Sequence, residues 1–136
     1  MYLVIYSVSN AKNMEIKELT KAEEQIMQVL WDLGKGFVKD VIEELPAPKP
    51  AYNTVSTIIR ILETKGFIDH EAFGKSHRYF PVISREDYRS FATGKLLNNY
   101  FSNSVENMFS FFVKEKKIDL KEADEILKLI ENLKKR

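Results

Sequence analysis

The chain has no cysteine. That excludes a disulfide framework, thiolate metal sites and thiol catalysis, and it suits a reducing cytoplasm. Histidine is scarce too: His70 and His77 are the only two, too few for a histidine-rich metal site. Nothing in the sequence calls for a cofactor or a metal. No apolar run is long enough to cross a membrane. No G-x-S-x-G elbow and no acid placed by spacing supports Ser56 or Ser76 with His77 as nucleophile and base. Gly74-Lys75-Ser76 looks like the end of a phosphate-cradling loop, but the earlier glycine is missing and an extended run follows instead of a helix. The chain does not read as an enzyme. It also lacks a surplus of charge. The net charge is +1, and residues 14–83 hold nine Lys/Arg against eleven Asp/Glu. The field of the whole molecule therefore steers a polyanion weakly. If DNA binds, the basic residues must gather on one side, with Glu23, Glu24, Glu43 and Glu44 facing away.

What the chain does have is one unusual amphipathic stretch, Ala51 to Ile68. Val55, Ile58, Ile59 and Leu62 recur at i, i+3, i+4 and i+7, the spacing of a buried helical stripe. Asn53, Ser56, Thr57, Arg60 and Thr64 share the opposite face. Small hydroxyls, an amide and an arginine are what a helix needs to lie in a major groove and read base edges. Gly66 stops this helix.

The remaining segments frame it. Thr20 and Glu23 form a capping box before a broadly buried helix, Lys21 to Leu33, in which Trp31 is expected in the core. A second short helix, Phe37 to Leu45, has Val38, Val41, Ile42 and Leu45 inside. Pro46, Pro48 and Pro50 stiffen the turn into the third helix. After Gly66, two extended runs, Phe67 to Phe73 and Arg78 to Val82, flank a polar, basic tip and predict a hairpin. Helix, helix, helix, hairpin is the order of a winged helix-turn-helix. From Ser84 onward the pattern is helical and rich in aromatics. Helices are expected from Arg85 to about Phe101, after the Ser104 cap, and after the Asp119/Glu122 capping box. About fifty residues cannot bury that much aromatic surface against themselves; a second copy across a two-fold axis is the simplest cover.

The predicted fold is thus mostly α with a small β-hairpin: a winged helix-turn-helix followed by an all-α dimerisation region. Residues 1–13 read as a leader, disordered or preceding a physiological start at Met14, with an ordered strand as the alternative. Residues 14–83 read as the DNA-binding domain and residues 84–136 as the dimerisation domain.

The segments LTKAEEQIMQVLWDLG, VKDVIEEL, NTVSTIIRILETKGFI and GKSHRYF, with the aromatic tail, resemble the BlaI/MecI/CopY family of bacterial repressors. The similarity runs from Ile16 to about Lys135. It implies a homodimeric winged-helix repressor on palindromic operators ahead of β-lactamase, penicillin-binding-protein or copper-homeostasis genes. It also implies, for the antibiotic branch, a membrane sensor protease that triggers cleavage of the repressor. The chain departs from the family in three places. The copper branch's C-x-C pair is absent. The Asn-Phe scissile bond aligns with Phe111-Phe112, which keeps the Phe and lacks the Asn. Asn53 and Ser56 stand where antibiotic-branch members carry basic residues, so a different operator sequence is expected.

The expected function is a cytoplasmic, sequence-specific transcriptional repressor that occludes a promoter on double-stranded DNA. Tyr52, Asn53, Thr54, Ser56, Thr57, Arg60, Lys75, Ser76, His77 and Arg78 form the expected DNA surface. Asn53 suits an adenine edge and the Thr57 methyl a thymine methyl. Arg60, Lys75 and Arg78 suit phosphates. Tyr52 either meets a phosphate or packs under Trp31. Tyr88, Phe91, Leu96, Tyr100, Phe101, Met108, Phe109, Phe112, Ile126 and Ile130 form the expected dimer interface. A winged-helix protein-interaction module is the alternative, and the near-neutral charge favours it slightly.

Overall fold

The computed structural model describes residues 15–135, so the reading of the leader lies outside the described residues. Helix α1 spans Lys21–Leu33. Thr20 Oγ1 accepts from the Glu23 N–H at 3.2 Å, and Glu23 Oε1 accepts from the Thr20 N–H at 2.9 Å, closing the capping box. Helix α2, Val38–Glu44, is one residue shorter at each end than expected. Its C-terminal end is held by Lys49, whose Nζ donates to the carbonyls of Glu43 at 2.7 Å and Leu45 at 2.5 Å. The proline-rich turn is therefore pinned by an ammonium as well as stiffened by rings. Helix α3 is Tyr52–Thr64.

Strands β1, Ile68–Phe73, and β2, Ser76–Pro81, pair antiparallel from Ile68↔Pro81 to Phe73↔Ser76. Their turn is only Gly74-Lys75, tighter than the tip expected from sequence. Gly74 has φ +62°, the first central position of a type II′ turn. Ser76 and His77 consequently belong to β2. Helices α4, Arg85–Phe101, α5, Val105–Lys114, and α6, Leu120–Lys134, follow where the capping signals put them.

The described chain divides into two compact units between Ala92 and Thr93, within α4. The first is a winged helix-turn-helix. Its core joins Ile26, Met27 and Leu30 of α1, Val41 of α2, Val55, Ile59 and Leu62 of α3, and Phe67 and Ile83 beside the hairpin. The predicted stripe of α3 is therefore the buried one, with Ile58 half-buried at its edge. Trp31 is half-buried: its Nε1 donates to the Ile83 carbonyl at 2.9 Å, and the Arg85 guanidinium lies 5.6 Å from its ring.

The first core reaches further along the chain than the sequence suggested. Tyr88, expected at the dimer interface, is buried in it instead. Its ring sits 5.6 Å from Phe67 and 6.2 Å from Trp31, and its hydroxyl accepts the Leu19 N–H at 2.9 Å. Phe91, also expected at that interface, packs half-buried against the same core. The reason is the capped first turn of α4, which lays Tyr88 and Phe91 back over α1 and Phe67, where apolar neighbours already exist. In the second unit, the ring of Phe101 lies 5.6 Å from Phe111 and that of Phe111 lies 6.2 Å from Phe112. None of its described residues is buried.

One ion pair inside the first unit was not legible in the sequence. Glu23, expected to close the capping box and face away from DNA, is also 5% exposed and meets Lys65 Nζ at 2.6 Å. Burial pushes its carboxyl up, but the hydrogen bonds from Lys65 and Thr20 outweigh this and hold it below the usual range. A carboxyl lowered on folding stabilises the fold above its unfolded pKa, and that contribution is lost as pH falls through the folded value. Glu23→Gln should cost about 1–3 kcal/mol at neutral pH in urea unfolding and flatten the acid limb of the stability profile. Tyr88→Phe should cost about 1–2 kcal/mol by stranding the Leu19 N–H, and it should leave the sedimentation behaviour unchanged. A change in oligomeric state would return Tyr88 to an interface.

Candidate nucleic-acid interface

The wing is attached to the helices by a backbone bridge. Gly36 N–H donates to the Tyr79 carbonyl at 2.9 Å, and Tyr79 N–H donates to the Gly36 carbonyl at 2.8 Å. The approach is close: a Cβ at Gly36 would lie 3.3 Å from Leu33 Cδ1 and 3.5 Å from the Asp40 Cβ. This bridge brings the start of α2 against β2 and leaves a cleft of about 620 Å³ between α2, α3 and the hairpin. Tyr52, Ser56 and Arg60 enter it from α3, Val38 and Lys39 from α2 with Phe37 just before it, and Phe73, Lys75, Ser76, His77 and Tyr79 from the hairpin.

Six of the ten residues expected to touch DNA are therefore brought together: Tyr52, Ser56, Arg60, Lys75, Ser76 and His77. Tyr52 is 58% exposed on the cleft wall, which settles its alternative against packing beneath Trp31. Asn53, Thr54 and Thr57 are exposed on α3, outside the cleft lining. Arg78 is not brought in. It sits opposite Glu71 on β1, with Nη2 at 3.1 Å from Glu71 Oε1, and its guanidinium lies 4.7 Å from the Phe73 ring. Strand alternation puts Arg78 on the face opposite His77 and Tyr79, and the Glu71 pair holds it there; Phe73 and Ser76 share that face but line the cleft at the turn end of the hairpin. Lys35 joins Arg78 on Glu71 at 3.3 Å. Hydrogen bonds from Arg78 and then Lys35 hold the Glu71 carboxyl below its usual range.

The electrostatics of the cleft follow from what lines it. It carries three cations, Lys39, Arg60 and Lys75, and no carboxylate. Among the described residues, none of these three makes an ion pair, and Arg60 Nε reaches only the Ser56 carbonyl, at 3.4 Å. Several other cations of this unit are neutralised: Lys35 and Arg78 by Glu71, Lys65 by Glu23, and Arg85 by Asp32 at 2.7 Å. The separation that a net charge of +1 demanded is thus achieved by pairing. Burial, then the nearby Glu63, raises the pKa of Tyr79 at the cleft floor, so its hydroxyl stays a neutral donor.

Lys39, Phe37, Val38, Phe73 and Tyr79 were missed in the sequence. Lys39 looks like any lysine on a short solvated helix, and only the bridge from Gly36 to Tyr79 turns it toward the wing. The alternation of β2 could have signalled Tyr79 once His77 was placed in the strand.

Comparison with known proteins finds similarity along most of the chain. The family model described as Penicillinase repressor matches residues 19–132. The penicillinase repressor of Bacillus licheniformis is 25% identical over 123 residues, which are 90% of this chain and 96% of that protein. The methicillin resistance regulatory protein MecI of Staphylococcus aureus (strain N315) is 23% identical over 114 residues, 83% of this chain and 93% of that protein. A solution structure of the DNA-binding domain of the repressor BlaI covers 54% of this chain and 92% of its own, at 29% identity and a TM-score of 0.48.

The unpaired and paired cations should separate in a salt titration of duplex binding. Lys39→Ala, like Lys75→Ala, should reduce the log–log salt slope by about 0.9. Arg78→Ala should leave it nearly unchanged. Equal slopes for all three variants would remove the distinction.

Proposed function

The chain belongs to the penicillinase repressor family and is a DNA-binding transcriptional repressor, and we propose that it acts in the cytoplasm as a homodimer on a palindromic operator, closing a promoter by occupancy. The observation that carries the DNA-facing surface is the acid-free cleft between α3 and the wing, with its three unpaired cations. In this reading the exposed face of α3 enters the major groove. Asn53 faces an adenine edge, the Thr57 methyl meets a thymine methyl, and Thr54 and Ser56 meet base edges or nearby phosphates. Arg60, Lys75, Lys39 and the Tyr52 hydroxyl hold phosphates and set the register. Ser76 and His77 carry the wing along the backbone.

Dimerisation is supported by the second unit. Its described residues include no buried one, and Tyr100, Val105, Leu120, Leu127, Leu129, Ile130 and Leu133 are 44–86% exposed. Such a surface on a small helical unit calls for a partner, and a second copy supplies self-complementary apolar stripes. Leu96, Tyr100, Phe101, Met108, Phe109, Phe112, Ile126 and Ile130 remain the interface residues of this reading. Penicillinase and methicillin-resistance regulation in the relatives makes genes of β-lactam resistance the candidate targets. The resemblance also brings a membrane sensor protease as a partner that ends repression. Phe111 and Phe112 lie in the last turns of α5, which ends at Lys114, so fraying of that helix end is what would present their bond. Among the described residues, no helix is long and apolar enough to cross a membrane.

Gel-shift titration with the promoter region next to the protein's own gene tests the reading. Asn53→Ala should lose about 1–3 kcal/mol at one base position and relax specificity there, whereas Arg60→Ala should weaken binding to every sequence alike. Equal losses on specific and random DNA for both variants would overturn the assigned roles. Sedimentation equilibrium should give a dimer at micromolar concentration, and Ile130→Glu should give a folded monomer that no longer shifts the full operator; a wild-type monomer would sink the dimer.

A further inference from the structure

Both histidines of the chain lie at a single spot, where the end of the recognition helix meets the wing. His70 of β1 and His77 of β2 stack with ring centroids 4.0 Å apart and planes 11° from parallel. Glu63, in the last turn of α3, brings Oε2 to 2.5 Å from His70 Nδ1. Asp69 Oδ1 is 3.9 Å from the same nitrogen and is oriented by accepting the His70 backbone N–H at 2.8 Å. The ligand atoms of Glu63, Asp69 and His70 all lie within 4.8 Å of one another.

The charge balance of this cluster differs from that of the other acidic side chains nearby. Glu23, Glu71 and Asp32 each meet a lysine or arginine. Among the described residues, the ion-pair partner of both Glu63 and Asp69 is His70. Two carboxylates facing one imidazole leave negative charge uncompensated when that imidazole is neutral. The side chains of Glu63 and His70 are 28% and 30% exposed and that of Asp69 is 63% exposed, so the cluster is half-sheltered at α3 and open to water at Asp69. Two histidines are too few for a histidine-rich site, but two carboxylate oxygens and one or two imidazole nitrogens are a complete ligand set for a divalent first-row transition ion.

We propose that Glu63, Asp69 and His70 bind such an ion, of which Zn2+ is the representative, and that His77 completes the shell by a side-chain rotation. The rotation is required because a ring nitrogen's lone pair lies in the ring plane, and stacked rings do not converge on one point. His77 is exposed, so the ring contacts with His70 and Tyr79 are what the turn must break. Ligation needs His70 Nδ1 unprotonated, so the ion replaces the proton that otherwise joins His70 to Glu63. The bound ion ties the last turn of α3 to both wing strands. It thereby fixes the angle between the two walls of the cleft and cancels the negative charge of the two carboxylates at its end. That consequence, a DNA affinity raised by the metal, rests on the DNA-binding reading given above; the site itself does not.

The test uses the untagged full chain without DNA, titrated with zinc sulfate and followed by NMR. With only two histidines, the imidazole proton signals report the site directly. Saturable 1:1 shifts of both His70 and His77 signals are expected. Glu63→Gln and Asp69→Asn, which keep side-chain shape, should each weaken the apparent affinity by about tenfold or more, as even outer-shell changes at metal sites do. The absence of saturable shifts with Zn2+ in large excess would overturn the site and leave an ion pair only. So would shifts that persist unchanged in both variants. Gel shifts with and without Zn2+ then test the consequence: tighter binding supports wing locking, and equal binding overturns it. A protein that saturates with Zn2+ but shifts no DNA under either condition would instead refute the DNA-binding reading and spare the metal site.

Discussion

A nearly neutral protein can hold a polyanion only if its own carboxylates are kept away from the contact surface or are occupied by other cations. The first unit does both. Glu23 is buried beneath the end of α3 on Lys65, Glu71 is shared by Lys35 and Arg78 on the outer face of the hairpin, and Asp32 holds Arg85. What remains at the cleft is positive because nothing acidic lines it. The field is therefore local. It falls off within about a Debye length, roughly 8–10 Å at ordinary ionic strength, so on the proposed surface it would position a duplex already in contact more than it would steer one from afar.

That local field depends on one backbone feature. The paired hydrogen bonds between Gly36 and Tyr79 extend the two-stranded wing by a third short edge and fix where α2 begins. Without them, Lys39 and Phe37 would have no reason to approach Lys75 and Phe73. The edge-to-face contact of Phe37 and Phe73, at 5.9 Å, seals the outer rim of the same junction. The bridge thus links packing to recognition: the wing's twist, set by its II′ turn and its pairing register, decides which strand face looks at α3. His77 and Tyr79 land on the cleft side, and Arg78 lands on the other.

Much of this was legible in the sequence, for identifiable reasons. Capping boxes at Thr20 and Asp119 are local signals, so helix starts came out correctly. The 3.6-residue stripe of Val55, Ile59 and Leu62 fixed the buried face of α3 and, by subtraction, its polar face. The hairpin was visible, but its turn was read two residues too long at the β2 side. That reading left Ser76, His77 and Arg78 together at a basic tip, whereas strand alternation divides them. The fate of Glu23 and Tyr88 was not legible. Each depends on a partner far along the chain, Lys65 and Leu19 respectively, and a capping glutamate or a tyrosine in an aromatic run looks the same whether or not that partner exists.

The second unit bears on the first through arithmetic. One copy offers three unpaired cleft cations, which by counterion release give a salt slope of about −3 and an affinity of non-specific strength. In the proposed dimer the second half-site binds at the effective concentration set by the link between the two copies, and the slope doubles without any new kind of contact. The weak net charge would then be useful: a monomer would be held too loosely to occupy a promoter, and the proposed dimer would not. Release of such a dimer would need no change in α3 or the wing. In the proposed dimer, any event that separates the apolar faces of α5 and α6 from their copies would return each winged unit to its single-site affinity, and the aromatic helices would thereby govern repression from outside the proposed DNA-binding surface.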